Sequence, residues 1–242
     1  MTIIAITNQK GGVGKTTTCV NLAASLAANK QRVLMVDLDP QGNATMGSGV
    51  DKHVIESSSY DVLIHNARIE DVRQRSQSGS FDVVPANADL TAAEIELVTA
   101  TTKENRLRYA LARVKHEYDY VLIDCPPSLN MLTINALVAS DSVLVPVQCE
   151  YYALEGLSSL LNTIARVQKS LNPALRSEGL LRTMYDARNT LTNEVSMQLI
   201  GHFGSRGYST LIPRNVRLAG APSHGQPAPV YVPASRGAIA FL

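Results

Sequence analysis

The chain has 242 residues, 45% of them hydrophobic and 18% charged, and carries a formal net charge of +1. That length allows one large α/β domain or two small ones, with a sizeable core, and no apolar run approaches the roughly 20 residues of a membrane-spanning helix. With no tryptophan and 5% aromatic residues, the composition argues against a stacking platform for single-stranded nucleic acid.

From the N-terminus, "IIAIT" (3–7) is a short apolar run that meets a glycine-rich turn, and Met1 leads into it without the basic stretch of a signal peptide. "TTTCVNLAASLAAN" (16–29) repeats apolar residues at helical spacing, and "RVLMVDLD" (32–39) is a second strand that ends in acids. Residues 47–59 and "RQRSQSGS" (73–80) read as surface loops. "FDVVPA" (81–86) is a third strand, followed by the helical "LTAAEIEL" and a helix around 104–116. "YDYVLIDCPP" (118–127) and "DSVLVPVQ" (141–148) are the fourth and fifth strands, and "ALEGLSSLLNTIARVQKSL" (153–171) is a long amphipathic helix. "GLLRTMYD" (179–186) and "STLIP" (209–213) complete seven strands, and the Gly- and Pro-rich tail from Ala219 reads as an irregular connection over the surface.

Strands that are apolar almost throughout are buried on both faces. The expectation is therefore a doubly wound α/β fold, a mostly parallel twisted sheet with helices on both faces and its ligand site outside the strands' carboxyl ends. No linker divides residues 1–242, so they are expected to form a single domain. The three cysteines lie in apolar contexts without metal-ligand spacing, which points to buried reduced thiols of a cytosolic protein. The five histidines are scattered; His202 reads as ending a helix that Gly204 stops, and His224 as structural. Charge is uneven: after Lys169 there are seven arginines against three acids, a net +4. An arginine-only half is either a phosphate-facing surface or a solvated face.

The chemistry concentrates in "NQKGGVGKTTT" (8–18), which follows a strand and opens a helix. Gly11, Gly12 and Gly14 let backbone N–H groups converge on phosphate oxygens, with Val13 between them. Lys15 reaches the terminal phosphates, Thr16 offers a hydroxyl to Mg²⁺, and Thr17 follows in the first helical turn. The loop departs from the standard pattern, with Gln9 where a glycine is usual and a second lysine, Lys10. Lys10 precedes the glycines and is either a solvated rim residue or a cation offered to a facing subunit's nucleotide. Asp37 and Asp39 sit at one strand end and are read as pointing to opposite sides of it, and Asp124 follows "VLI" in the pattern of a metal-holding acid.

"KGGVGKTT" resembles the deviant Walker A motif of the ParA/MinD ATPases. The resemblance extends along nearly the whole chain, in order, through "VDLDPQGNAT" (36–45), "YVLIDCPPS" (120–128), "VPVQCEYYALEGL" (145–157), "TMYDAR" (183–188) and "IPRNVRLAGAPSHG" (212–225). These motifs are similar to ParA/Soj-type partition ATPases. MinD proteins usually have a small Ala-Gly pair where this chain has Pro126–Pro127, and they end in a basic amphipathic helix that "ASRGAIAFL" does not match. None of the three cysteines sits where the nitrogenase iron protein holds its cluster.

The resemblance implies an ATPase that uses ATP and Mg²⁺, turns over slowly, and closes a homodimer across two nucleotides. Lys10 contacts the partner's nucleotide, Lys15 its own, and Asp39 positions the attacking water. Thr16, Asp37 and Asp124 form the Mg²⁺ shell. Met184, Pro213 and Asn215 flank the adenine. Two readings of Glu150 stay open, contact with the partner's nucleotide or capping of the following helix. Arg188 and Arg217 match DNA-contacting positions, so non-specific, salt-dependent binding is expected; Arg214 fits either the base pocket or DNA. Further implications are stimulation by a ParB-type centromere-binding protein, no membrane partner, no helix-turn-helix extension before the first strand, and a cytoplasmic, nucleoid-associated location. The same nucleotide chemistry would serve a positioning ATPase for a non-DNA cargo or a MinD-like membrane-cycling ATPase.

Overall fold

The computed structural model describes residues 1–150, 153–204 and 207–242, without the side chains of Leu154, Glu155 and His202. Tyr151 and Tyr152 of the "VPVQCEYYALEGL" motif, Arg206 of the basic half and the side chain of His202 lie outside the described residues. The strands are β1 (Thr2–Ile6), β2 (Val33–Asp37), β3 (Gln74–Ser76), β4 (Phe81–Val84), β5 (Tyr120–Asp124), β6 (Ser142–Gln148), β7 (Arg176–Tyr185) and β8 (Gly207–Pro213). They form one sheet in the order β3-β4-β2-β5-β1-β6-β7-β8, parallel throughout except for β3 against β4.

The helices are α1 (Lys15–Ala28), α2 (Asn43–Gly47), α3 (Ser59–Ile64), α4 (Ile69–Val72), α5 (Leu90–Thr99) and α6 (Arg106–Arg113), then α7 (Met131–Ala139), α8 (Ala153–Ser170), α9 (Thr190–Phe203), α10 (Val216–Gly220), α11 (Ala228–Tyr231) and α12 (Arg236–Ile239). Successive strand residues go to opposite faces. In β2, Leu34 and Val36 join a core beneath α3, α5, α6, α7 and α8, while Val33 and Met35 join a second core with α1. Cys19, Val20, Ala23 and Ala24 let α1 lie close to the sheet because their side chains are small. All three cysteines are buried and unpaired.

The central strands bring the acids together. Asp124 pairs in register with Ile6 on one side and Asp37 on the other, so both carboxylates stand at the sheet's carboxyl edge beside the loop that leaves β1.

Two sequence expectations need correction. Within 73–80, Gln74–Ser76 form an antiparallel edge strand on β4; their polar side chains hide it, and Ser76 is buried with its hydroxyl donating to the Ser48 carbonyl at 2.7 Å. The loop 47–59 runs between two helices as expected, α2 ending at Gly47 and α3 starting at Ser59 behind a capping box of Ser58 and Asp61. The tail does more than cross the surface: Ala221, Ala228, Gly237 and Ala238 are buried, and the Ala228 N–H donates to Asn21 Oδ1 of α1 at 2.7 Å.

Candidate functional site

Gly12 and Gly14 have φ of +74° and +87°, the left-handed region that favours glycine. Gly14 is the N-cap of α1 and supplies no side-chain cap, so the first N–H groups of a 14-residue helix are left to face a ligand. The side chains on either side of these glycines diverge. Gln9 Nε2 donates to Ser159 of α8 at 3.3 Å. Asn8 Oδ1 accepts the Lys10 N–H at 3.0 Å while its Nδ2 donates to the Pro146 carbonyl of β6, which turns Lys10 toward the end of that strand. There the Lys10 ammonium meets Glu150 Oε2 at 2.7 Å, and Gln148 donates to the other carboxylate oxygen. The Glu150 side chain is thus committed to Lys10 and Gln148.

Lys15 turns the other way, into its own loop. It is buried, and its Nζ donates to the Lys10 carbonyl at 3.3 Å. Burial lowers its pKa, against the opposing pull of Asp124, Cys125 and Asp39. Thr16 Oγ1 donates to Asp124 Oδ2 at 2.8 Å, while Asp124 Oδ1 is buried without a hydrogen bond among the described residues. Burial, then the neighbouring Asp37, push the Asp124 carboxyl well above the usual carboxylate range. Two buried acids side by side next to a hydroxyl and a lysine are stabilised by a cation. Oxygen donors of this kind suit Mg²⁺, with the glycine loop and α1 receiving phosphates.

Asp37, in register beside Asp124, is bonded to the chain that follows it. Its Oδ1 accepts the Asp39 N–H at 3.0 Å, and its Oδ2 accepts the Thr45 N–H and hydroxyl at 2.8 and 2.7 Å. Asp37 thereby holds the start of α2 and the backbone of Asp39. Asp37 and Asp39 do not lie on opposite sides. The strand ends at Asp37, positions two apart share a face, and both acids act electrostatically on Asp124. Asp39 Oδ1 accepts the Gln41 N–H at 2.9 Å, and its second oxygen makes no hydrogen bond among the described residues.

A cavity beside α1 is lined by Thr17, Met184, Pro213 and Asn215, together with Ile212 and Phe241. The three sequence-named residues Met184, Pro213 and Asn215 thus meet in one place, next to the phosphate loop. Met184 has φ +50°, a left-handed conformation that is strained for a side chain of this kind and recurs at functional sites. Thr183 Oγ1 donates to the Val13 carbonyl at 2.7 Å, tying the end of β7 to the loop. Asn215 Oδ1 accepts the N–H groups of Arg217 and Leu218 as the N-cap of α10, while its amide N–H groups make no described bond. Thr183 and Ile212 open two of the quoted motifs without being named as site residues, Phe241 lies outside every motif, and only the fold brings the tail to α1.

Of the arginines, Arg188 is tied to Asp186 by both Nε and Nη2, at 3.0 and 2.9 Å, and this pairing holds the Asp186 carboxyl down to about 2. Arg217 is exposed, its guanidinium free of hydrogen bonds among the described residues. His224 stacks on Tyr231 with its Nε2 at 3.0 Å from the tyrosine hydroxyl, a structural contact. Burial raises the pKa of all three cysteine thiols, which keeps them protonated. Among the described residues no helix is long and apolar enough to cross a membrane.

The family model described as "AAA domain" matches residues 1–177. The sporulation initiation inhibitor protein Soj of Bacillus subtilis is 58% identical over 240 residues, covering 99% of this chain and 95% of that protein. The chromosome partitioning protein ParA of Myxococcus xanthus is 50% identical over 240 residues, covering 99% and 85%. Among solved structures, the cobyrinic acid a,c-diamide synthase of Mycobacterium smegmatis with ADP and magnesium superposes with a TM-score of 0.87 at 38% identity, over 100% of this chain and 91% of that one. The same protein with an ATP analogue and magnesium gives 0.88 at 37% identity, with the same coverage.

Proposed function

The chain belongs to the ParA/Soj-type chromosome partition ATPases, and on that premise we propose that it binds and hydrolyses ATP with Mg²⁺, closes into a homodimer across two nucleotides, and binds DNA non-specifically in the closed form. Lys15 and the N–H groups of the loop bind the phosphates, Thr16 and Asp124 hold Mg²⁺, and Asp39 orients water toward the γ-phosphate. Met184, Pro213 and Asn215 hold the base. When bound, Mg²⁺ would supply neutralisation of charge on the phosphates; the protein's own part is to position and to exclude. Hydrolysis is slow until a ParB-type partner accelerates it, and it returns the chain to a monomer that leaves DNA. Arg188 and Arg217 supply phosphate contacts, and the protein works in the cytoplasm on the nucleoid.

The observation that carries this reading is the divergence of the two lysines. Lys15 is buried in its own loop, whereas the Lys10 ammonium lies outside it on the rim. A rim cation is placed to reach a nucleotide across an interface. The name of the Mycobacterium smegmatis structure indicates amide synthesis, but the relatives of higher identity carry partition names. The test is binding to random-sequence duplex DNA with and without ATP; ATP-dependent, salt-sensitive binding is expected, and equal binding without nucleotide would overturn the reading.

A further inference from the structure

Asp39 stands on a tight turn. Pro40 follows it, the Gly42 N–H donates to the Asp39 carbonyl at 2.8 Å, and the Gln41 N–H donates to the Asp39 carboxylate at 2.9 Å. A proline with its fixed φ, and an aspartate that bonds the chain two residues on, are common builders of such turns. Among the described residues, the hydrogen bonds made to 39–42 come from within Asp37–Met46, with one exception. Lys52 Nζ donates to the Gln41 carbonyl at 2.5 Å.

Lys52 reaches this carbonyl from a loop that is itself held. Its N–H meets Met46 Sδ at 3.5 Å. Gly49 has φ +81°, and a Cβ there would lie 2.8 Å from the Gly225 carbonyl, so the loop is seated on the tail. Val50 is buried, and Asp51 Oδ1 accepts the His53 N–H at 3.0 Å, which turns the chain around Lys52. The lysine stem then crosses Gly42. Gly42 has φ +59°, and a Cβ there would lie 2.8 Å from Lys52 Cδ and 2.5 Å from the Ala86 carbonyl. The stem and the chain after β4 thus both lie against the turn. The Gln41 carbonyl and the Gly42 N–H belong to one planar peptide and point in opposite directions. Lys52 holds one end of that peptide, and the Asp39 carbonyl holds the other.

We propose that Lys52 is a positioning residue for ATP hydrolysis: it holds the Asp39–Gly42 turn closed, and the turn aims the Asp39 carboxylate at the attacking water. The inference rests on the reading that Asp39 orients this water, and it names the residue that keeps that acid in place. One Asp39 oxygen is committed to the Gln41 N–H, so the second serves the water, and its direction follows the plane of the turn. A bond from an ionised donor is about twice as strong as a neutral one, which suits Lys52 to fix that plane. A small rotation of a positioned group costs rate without costing ground-state binding.

The test is single-turnover hydrolysis of Mg²⁺-ATP by the full chain, with ATP affinity and amide hydrogen exchange measured on the same variants. Lys52→Met keeps a stem over Gly42 and removes the charge. It is expected to bind ATP as the parent does and to hydrolyse it about tenfold more slowly, the loss of one charge-assisted bond. The amides of Gln41 and Gly42, which both donate to Asp39, should exchange faster in Lys52→Met without nucleotide. A lysine that acted directly on the phosphates would leave that exchange unchanged. Lys52→Arg restores a cationic donor and should recover most of the rate. Asp39→Ala is run alongside. If Asp39→Ala is inactive while Lys52→Met hydrolyses ATP at the parent rate, or slows without faster exchange, the role of Lys52 is overturned and the reading of Asp39 stands. If Asp39→Ala itself hydrolyses ATP at the parent rate, the reading of Asp39 falls and takes the role of Lys52 with it.

Discussion

Lys10 and Glu150 stand 140 residues apart in the chain and meet in an ion pair of 2.7 Å. Asn8 sets one end by bridging the Lys10 N–H and the Pro146 carbonyl, and Gln148 steadies the other. The lysine assigned here to a neighbour's nucleotide is therefore held by its own chain. On the proposed function, dimer closure would part this pair, and Glu150 would oppose closure until ATP offered Lys10 a stronger anion.

Glu150→Gln removes the competing charge and keeps the shape. Both side chains are more than a third exposed, so such a pair contributes at most about 1 kcal/mol to stability. Thermal stability should barely move, whereas light scattering with ATP should find dimers at a lower protein concentration. Weaker dimerisation than the parent chain would instead assign Glu150 to the partner's nucleotide.

Asp124→Asn tests the metal site and carries a pH signature. The folded-state pKa of Asp124 is raised by burial and by Asp37, so the folded form binds the proton more tightly than the unfolded chain. That contribution is full below the ordinary aspartate pKa of about 3.9 and is lost as pH rises toward the folded value. Asparagine has no such dependence. The variant should gain thermal stability over the parent as pH rises from about 4, while losing Mg²⁺-dependent ATP hydrolysis. A stability difference that is flat with pH would contradict the assignment.

Asn215 caps α10 with its amide oxygen and lines the cavity beside α1. Asn215→Asp keeps the oxygen that caps α10 and removes the N–H donors, whereas Asn215→Ala removes both. Loss of a cap costs about 1 kcal/mol. ATP affinity should fall several-fold in both variants, with stability falling only in the alanine variant. Undiminished ATP affinity in Asn215→Asp would remove the amide from base recognition.

Much of this was legible in the sequence because the signals are local. Apolar runs buried on both faces mark the central strands, and glycines with Lys15 and Thr16 mark the loop. The polar edge strand Gln74–Ser76 carried no such pattern, and α7 passed unassigned between two strong strands. Asp37 and Asp39 are marked in the sequence as acids at a strand end, but their bonds to Thr45 and Gln41 depend on a turn that hydropathy does not describe. The Lys10–Glu150 pair joins distant segments, and only the sheet order brings them together.

The central claim is that ATP drives dimerisation through Lys10. Its most direct test is the molecular mass in solution of Asp39→Ala, which should bind ATP without hydrolysing it, measured with and without Lys10→Ala. With ATP, the Asp39→Ala chain should double in mass, and the Lys10→Ala/Asp39→Ala chain should bind ATP and stay monomeric. An ATP-dependent dimer of equal strength without Lys10 would contradict the account.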